Sequence, residues 1–576
     1  MKLKGLLYRK LIKREFGSEE IKEYIPVFKI GSSKRIFEIK RPQDITKTNI
    51  SYPLIEPFSY AHIHWNDKEK LLIYEVLEPE LKEDEKEKLE KISSSLVEII
   101  DTGFGIAKDR EKAIKYLEEK VQQVLRNLGM TLTTIEYLKI MYYIYRDFIG
   151  LNEIEPLMND PNIEDISCDG VNIPIYVVHR IFGSLKTNVM FKDTERLRQF
   201  IVKLAERCGR YVSYAEPILD ATLPDGSRVA ATIASDVATK GPTFTIRKFS
   251  ERPFSPVDQI YLGTVNAEIM AYFWYIIEHR ASILIVGGTA TGKTSFLNSI
   301  SCFIRPEAKI VSIEDTRELR LPHEHWIPSL SRIGFGIPLP TGEKYGEVTL
   351  FDLLKESFRQ NPDYVIVGET RGKEAYVMFQ GMSSGHASMS TFHAGSLEAA
   401  IKRLISPPIS LPPQLLESLD VVAVMGHYKE KGGARRLKQV VEIKSVDVKS
   451  GEVIPNLVYK WDPVSDTFKK INESVVVRKI AESIGQNYKE AFKEIENRKK
   501  VLEWLYQKGI RDFDEVNKWI NRYYKEKEKV LKEIGEVKEE KRVEKPKEIP
   551  KPKERKLERR ISIIDLLGLK LIKTKI

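Results

Sequence analysis

The spacing of apolar residues divides the chain into regions of different periodicity. Between about 258 and 440, short apolar, β-branched runs at 283–286, 309–313, 364–367, 387–391 and 421–425 alternate with segments of helical spacing. Runs of that length without polar alternation predict strands buried on both faces, so this region is expected to form a parallel α/β sheet covered by helices. Upstream the pattern is mixed. The run Leu71-Leu72-Ile73-Tyr74-Glu75-Val76 reads as a strand, and Pro79 precedes a charged stretch at 80–91 with helical spacing, followed by a second helix at 109–128. From 131 to 250 helix and strand alternate, with strands at 163–167, 175–178, 228–233 and 243–248, a helix at 194–208 and a turn at Pro224-Asp225-Gly226. Beyond 475 the chain is predicted helical, and from about 530 it becomes a Lys/Glu/Pro tract expected to be a disordered linker.

With 576 residues the chain exceeds what one core can hold, and three or four domains are expected. Cys168, Cys208 and Cys302 lie far apart without a C-x-x-C pair, which speaks against a disulfide framework or a zinc knuckle and suits a reducing compartment. Charges recur too early for a signal peptide, and the most apolar long stretch, 267–277, is far short of a membrane span. A cytoplasmic protein is expected. The net charge of +10 is concentrated at one end: residues 541–576 hold thirteen basic and five acidic side chains, which is +8. The body is therefore nearly neutral, and a basic nucleic-acid-binding face is not implied.

The strongest chemical signal is Gly287-Gly288-Thr289-Ala290-Thr291-Gly292-Lys293-Thr294, which matches G-x-x-x-x-G-K-[ST] at every fixed position. It follows a predicted strand, and Ser295 onward can open a helix. Strand, glycine loop and helix N-terminus together aim backbone N–H groups and a positive dipole end at one anion. Lys293 is expected to reach the β- and γ-phosphates of a nucleoside triphosphate, and the Thr294 hydroxyl to ligate Mg²⁺. Three further clusters narrow the chemistry. Asn361-Pro362-Asp363-Tyr364-Val365-Ile366-Val367-Gly368-Glu369 is an apolar strand ending in an acid, so Glu369 is expected beside the γ-phosphate, polarising water or holding Mg²⁺. The glycine before Glu369 departs from the usual pattern at such strand ends. A second strand ends in Glu314-Asp315, either of which could be a second catalytic acid, and sheet order is expected to place it next to the strand before the glycine loop. His386 and His393 flank a small-residue strand without zinc spacing; His393 reads either as a γ-phosphate sensor or as a packing residue.

These clusters, in this order, resemble the Walker A, Asp box, Walker B and His box of the type II and type IV secretion ATPases, with the archaeal branch (archaellum motor and pilus-assembly ATPases) the nearest match. The resemblance spans about 130–525, including Lys508-Gly509-Ile510-Arg511. It implies an α/β fold with a RecA-like P-loop NTPase core, a mixed α+β N-terminal domain and a helical C-terminal region. The corresponding divisions are 1–130 (variable α+β), 131–250 (PAS-like α+β), 251–475 (ATPase core), 476–530 (helical) and 531–576 (charged tail). It further implies a homohexamer that hydrolyses ATP with Mg²⁺ and pushes on a polytopic membrane platform protein, through which it associates peripherally with the membrane. Arginines from the N-terminal domain would reach the nucleotide; Arg228 and Arg247 are the candidates and Arg210 a weaker third, while Arg317 and Arg371 could act at the subunit interface. A nucleic-acid motor on a RecA-like core is the alternative, against which the near-neutral body and the Asp-box/His-box pair both speak. The segment 561–576, apolar with interspersed lysines, could lie on an anionic membrane, dock on a platform protein or pack back on this chain.

Overall fold

A computed structural model describes residues 28–32, 39, 42, 44–100, 110–233, 236–249, 253–332, 334, 344–428, 434–447 and 452–536. The expected tail, from 537 on, and its terminal amphipathic segment lie outside these residues; 531–536, expected to open a disordered linker, instead end a helix that runs over Phe513–Glu536. The described residues fall into two compact units. One holds the chain up to Ala221 together with Val229–Arg247; the other holds Thr222–Arg228 and the chain from Lys248 on.

The first unit is built on one ten-stranded sheet. Its strands are β1 (Gly31–Ser32), β2 (Asn49–Glu56), β3 (Ser59–Asn66), β4 (Leu71–Leu77), β5 (Ile163–Cys168), β6 (Tyr176–His179), β7 (Gly183–Thr187), β8 (Ile218–Thr222), β9 (Arg228–Thr232) and β10 (Thr243–Arg247). Their order is β1-β2-β3-β4-β7-β6-β5-β10-β9-β8. The parallel pairing of β4 with β7 joins strands from both sides of residue 130 into this sheet. Helices α1 (Glu83–Ile99), α2 (Arg110–Asn127), α3 (Thr134–Phe148), a short α4 (Glu155–Met158) and α5 (Thr194–Arg207) complete the unit. Each long helix hides one stripe: Ala113, Leu117, Val121 and Val124 on α2 recur at three- and four-residue spacing. The helices start where capping chemistry allows. Thr133 and Glu136 close a reciprocal capping box on α3, and the Asp193 carboxylate accepts the Arg196 N–H at the start of α5.

The second unit holds a nine-stranded sheet: β11 (Ile283–Gly287), β12 (Ile310–Glu314), β13 (Trp326–Leu330), β14 (Tyr364–Thr370), β15 (Ala387–His393), β16 (Val421–Tyr428), β17 (Ala434–Val446), β18 (Val453–Asp462) and β19 (Thr467–Lys470). Their order is β13-β12-β14-β15-β11-β16-β17-β18-β19. All five strands expected from the apolar runs are present, and β13 through β16 pair in parallel. Two features differ from expectation. Beyond β16 the sheet continues as an antiparallel ribbon through β17, β18 and β19, strands that are only partly buried and carry interspersed charges. In addition, β12 does not neighbour β11: β14 and β15 lie between them, because crossover connections set strand order independently of chain order.

Burial on both faces of the parallel strands follows from their side-chain alternation. Ile283 and Ile285 enter one core with Trp274, Phe296 and the C-terminal helices, whereas Leu284 and Val286 enter a second core on the other face. The helices of this unit are α6 (Pro256–Tyr261), α7 (Ala267–Glu278), α8 (Lys293–Ser301), α9 (Leu350–Arg359), α10 (Glu374–Ser383), α11 (Leu397–Ile405), α12 (Val475–Ser483), α13 (Tyr488–Lys508) and α14 (Phe513–Glu536). The apolar stretch 267–277 lies in α7 and is buried at every position but Glu268, with Trp274 stacked on Phe303 and its indole N–H donated to the Tyr524 hydroxyl. Among the described residues no helix is long and apolar enough to cross a membrane.

Candidate active site

At the end of β11 the chain turns through 288–292 and enters α8. Gly292 precedes the helix at φ +85°, a conformation that strains any side chain, and a Cβ there would also crowd the Arg435 Cδ at 3.1 Å. The turn is held by its own polar atoms. Thr291 Oγ1 donates to the Gly288 carbonyl at 2.9 Å, and Lys293 Nζ donates to the same oxygen at 2.8 Å. Arg435, from β17, adds a hydrogen bond from Nε to the Ala290 carbonyl at 3.2 Å. No side chain caps the start of α8. Its first-turn N–H groups, including those of Lys293, Thr294 and Ser295, thus have no intrahelical acceptor and point out of the helix end, the arrangement that binds phosphate. Burial pushes Lys293 below its ordinary pKa, while Glu369 and Glu318 pull it back up and Arg371 lowers it again.

Glu369 lies near the end of β14, inside a break in the ladder. Val367 pairs with Ser390 and Thr370 with Phe392, so β14 spends one residue more than β15 between the two pairs. Such a bulge re-aims side chains at a strand end. The Thr391 hydroxyl fixes it by donating to the Gly368 carbonyl at 2.7 Å, and Arg371 holds the Glu369 carboxylate at 2.6 Å. Gly368 also explains the departure from the usual pattern: a Cβ there would meet the Glu314 Cγ at 3.0 Å. The missing side chain lets the Glu314 stem pass, and this brings the acid of β12 against β14 although β12 is not beside β11.

Glu314 is buried, and its Oε1 accepts the backbone N–H groups of Glu318 and Leu319 at 2.9 and 3.0 Å. Burial outweighs those two bonds and pushes the carboxyl up to about 7. Asp315, next in the chain, accepts the Ser331 hydroxyl at 2.9 Å. The two acids of this strand end therefore occupy different environments, one desolvated and near neutrality, the other engaged at the surface. His393 ends β15 opposite Gly287 in register, and its Nε2 lies 3.2 Å from the Thr289 hydroxyl. His386 precedes the same strand at its other end, roughly 20 Å away at strand rise, with its ring 4.9 Å from that of Phe358.

Four of the expected groups thus gather at the C-terminal ends of adjacent strands: the glycine loop 287–295 with Lys293, the carboxylates Glu369 and Glu314, and His393. Open parallel sheets bind ligands at these ends. The arginines are placed differently. Arg247 ends β10 in the first unit and donates its Nε to Asp165 at 3.1 Å. Arg228 opens β9 and is exposed, and Arg210 follows α5 half-buried. The Arg317 guanidinium stacks 5.1 Å over Trp326, and Arg371 is the partner of Glu369. Sequence reasoning missed Arg435, Thr391 and the bulge. Arg435 stands in a strand of mixed polarity with no fixed spacing to the loop, whereas Thr391 lies within the histidine-flanked motif, where nothing in the sequence marks its hydroxyl as the partner of Gly368.

The fit of this site to a nucleotide with Mg²⁺ can be judged on its donors. A loop that a Cβ would fill, uncapped N–H groups and one lysine suit a polyphosphate; the Thr294 hydroxyl and the Glu369 carboxylate are the hard oxygen donors Mg²⁺ prefers. When bound, the ion would neutralise charge on the phosphates; Glu369 would then stand where a carboxylate can orient or deprotonate a water, and Lys293 would hold phosphate oxygens.

Comparison with known proteins bears on the same residues. The family model described as type II/IV secretion system protein matches residues 154–426. The chain is 36% identical over 528 residues to the uncharacterized protein MJ0900 of Methanocaldococcus jannaschii, covering 87% of this chain and 92% of that one. A second protein of that organism, the uncharacterized MJ1287, is 45% identical over 46% of this chain and 97% of its own length. The type IV secretion system protein PtlH of Bordetella pertussis is 29% identical over 43% and 80%, respectively. Among solved structures, the Legionella pneumophila ATPase DotB is 16% identical, covering 69% of this chain and 96% of its own, with a TM-score of 0.37. The chain belongs to the type II/IV secretion system protein family, on a branch shared with archaeal relatives.

Proposed function

We propose that the second unit hydrolyses ATP with Mg²⁺ in a ring of six copies, and that the cycle drives assembly of a pilus-like surface filament, or secretion, by pushing on a polytopic membrane platform protein. The observation that carries this reading is the bulge in β14, which sets Glu369 at a strand end in electrostatic reach of Lys293. Family membership and the ordered set of four motifs support the choice of a motor over a simple nucleotide-binding module. In this reading Glu369 orients or activates the attacking water, Glu314 and Asp315 assist, His393 senses the γ-phosphate, and Thr294 with Glu369 holds Mg²⁺. Arg228 and Arg247 supply positive charge to the phosphates at some stage of the cycle, which for Arg247 requires release from Asp165. The nearly neutral body favours a protein partner over nucleic acid. The test is phosphate release by the purified full chain with and without Mg²⁺, alongside its mass in solution with nucleotide. Mg²⁺-dependent release from a hexamer is the expected result; absence of release from assembled protein overturns the proposal.

A further inference from the structure

The first unit carries a second cluster of chemically active side chains, remote in sequence from every motif above. His62 and His64 stand two apart on β3 and therefore point to the same face. Glu75 on β4 is the direct cross-strand partner of His62, and Asn49 on β2 that of His64. Four polar side chains from three adjacent strands thus share one patch, while Ala61, Ile63, Tyr74 and Val76 fill the core behind it. One ligand atom from each of His62, His64 and Glu75 lies within 4.8 Å of the others. The two imidazoles are nearly parallel, with centroids 4.5 Å apart.

Hydrogen bonding leaves this patch short of a cation. His62 Nε2 lies 2.9 Å from the Asn49 Oδ1, and its Nδ1 lies 3.3 Å from the Glu75 Oε2. A neutral imidazole has one N–H to give. In the tautomer that gives it to Asn49, the Nδ1 lone pair and the Glu75 carboxylate face each other as two acceptors. His64 Nδ1 is buried, and no hydrogen-bond partner for it occurs among the described residues. An ion bound to His62 Nδ1, Glu75 and His64 satisfies all three. The His62 Nδ1–Glu75 Oε2 separation of 3.3 Å is that of neighbouring donors on a tetrahedral zinc with bonds of about 2.0–2.2 Å, and His64, within 4.8 Å of both, reaches the same ion by turning its ring out of the stack. Asn49 is then the outer partner that fixes the tautomer and orientation of a metal-bound histidine.

We propose that His62, His64 and Glu75 form a binding site for a divalent transition ion of the zinc type, with Asn49 orienting His62. Two imidazoles and one carboxylate select zinc, cobalt or nickel over Mg²⁺ and Ca²⁺, which prefer all-oxygen sets. Three protein donors leave a fourth position for water or an exchangeable ligand, and the ion ties β3 to β4 across the sheet.

The experiment uses the full chain prepared without a histidine tag, stripped with chelator and kept in excess Mg²⁺. Titration with Co²⁺ is expected to give the intense visible absorption of a four-coordinate ion, saturating at one equivalent and displaced by Zn²⁺. His62→Ala and Glu75→Gln each weaken Co²⁺ binding about a hundredfold or more, and Asn49→Ala about tenfold. Zn²⁺ raises the unfolding temperature of the unaltered chain and leaves that of His62→Ala unchanged. A wild-type chain with no four-coordinate Co²⁺ spectrum overturns the proposal, as does the same spectrum and affinity in a chain carrying both His62→Ala and His64→Ala.

Discussion

Strands β11 and β12 are buried at every position, whereas β9 and β10 alternate buried and exposed residues along their length. The contrast has a consequence for chemistry. Where both faces of a sheet are filled by packed side chains, polar groups can emerge only at strand ends, and Lys293, Glu314, Glu369 and His393 all lie at or just beyond such ends. Where side chains alternate between core and the opposite face, polar residues can gather on that second face along the strand, as His62, His64 and Glu75 do, with His62 itself buried there. The two units thus offer different kinds of site: one held by strand termini and a bulge, the other by side-chain alternation across a sheet.

The comparison can be broken at several points. The largest effect is expected at the loop: Lys293→Ala lowers ATP turnover by at least a factor of about 100, roughly 2.7 kcal/mol of transition-state stabilisation, measured as phosphate release. Packing should follow the burial contrast. Ile285→Ala, in a strand buried on both faces, is expected to destabilise its unit by about 2–5 kcal/mol, whereas Thr245→Ala on the open face of β10 changes stability by no more than about 0.5 kcal/mol. Thermal unfolding with a probe in each unit distinguishes them.

Glu314 supplies a pH-dependent test. Its pKa is raised from 4.5 to about 7 in the fold, so the fold favours the neutral acid. That stabilisation is complete below pH 4.5 and is lost as pH rises through 7, leaving an ionised, buried carboxylate that costs about 3 kcal/mol. Glu314→Gln removes the charge while keeping an oxygen for Glu318 and Leu319. Its melting temperature is expected to exceed that of the unaltered chain at pH 8, with the difference shrinking towards pH 5. A difference independent of pH would contradict the assignment. The smallest effect is expected from Thr391→Val, which deletes the hydroxyl bond to Gly368 and costs about 1 kcal/mol in stability, with a severalfold loss of turnover as the bulge relaxes.

The same contrast explains what was legible in the sequence. Apolar runs such as Ile283-Leu284-Ile285-Val286 announce a buried parallel strand, and the glycine loop announces its own turn, so the core of the second unit could be read before the structure. The strands of the first unit are weaker signals. Ser59–Asn66 alternates Ala61, Ile63 and Trp65 with His62, His64 and Asn66, but so short a run with a single strongly apolar aliphatic residue is a weak strand signal beside the continuous run at 71–74. The antiparallel ribbon β17 to β19 was missed because its charged residues blur the alternation. Strand order could not be read at all. The expectation that β12 neighbours β11 failed because crossover connections decide order, while Glu314 still reaches the site region through the gap left by Gly368. The bulge carrying Glu369 has no sequence signature beyond that glycine.

The central claim is that the end of β14 delivers Glu369 to a phosphate held by Lys293. The most direct measurement compares nucleotide binding and phosphate release in Glu369→Gln and the unaltered chain. The account predicts ATP affinity within a fewfold of the unaltered chain and phosphate release slowed by about 10²–10⁴, as expected on removing a group that activates water. Release at the unaltered rate by Glu369→Gln would contradict it.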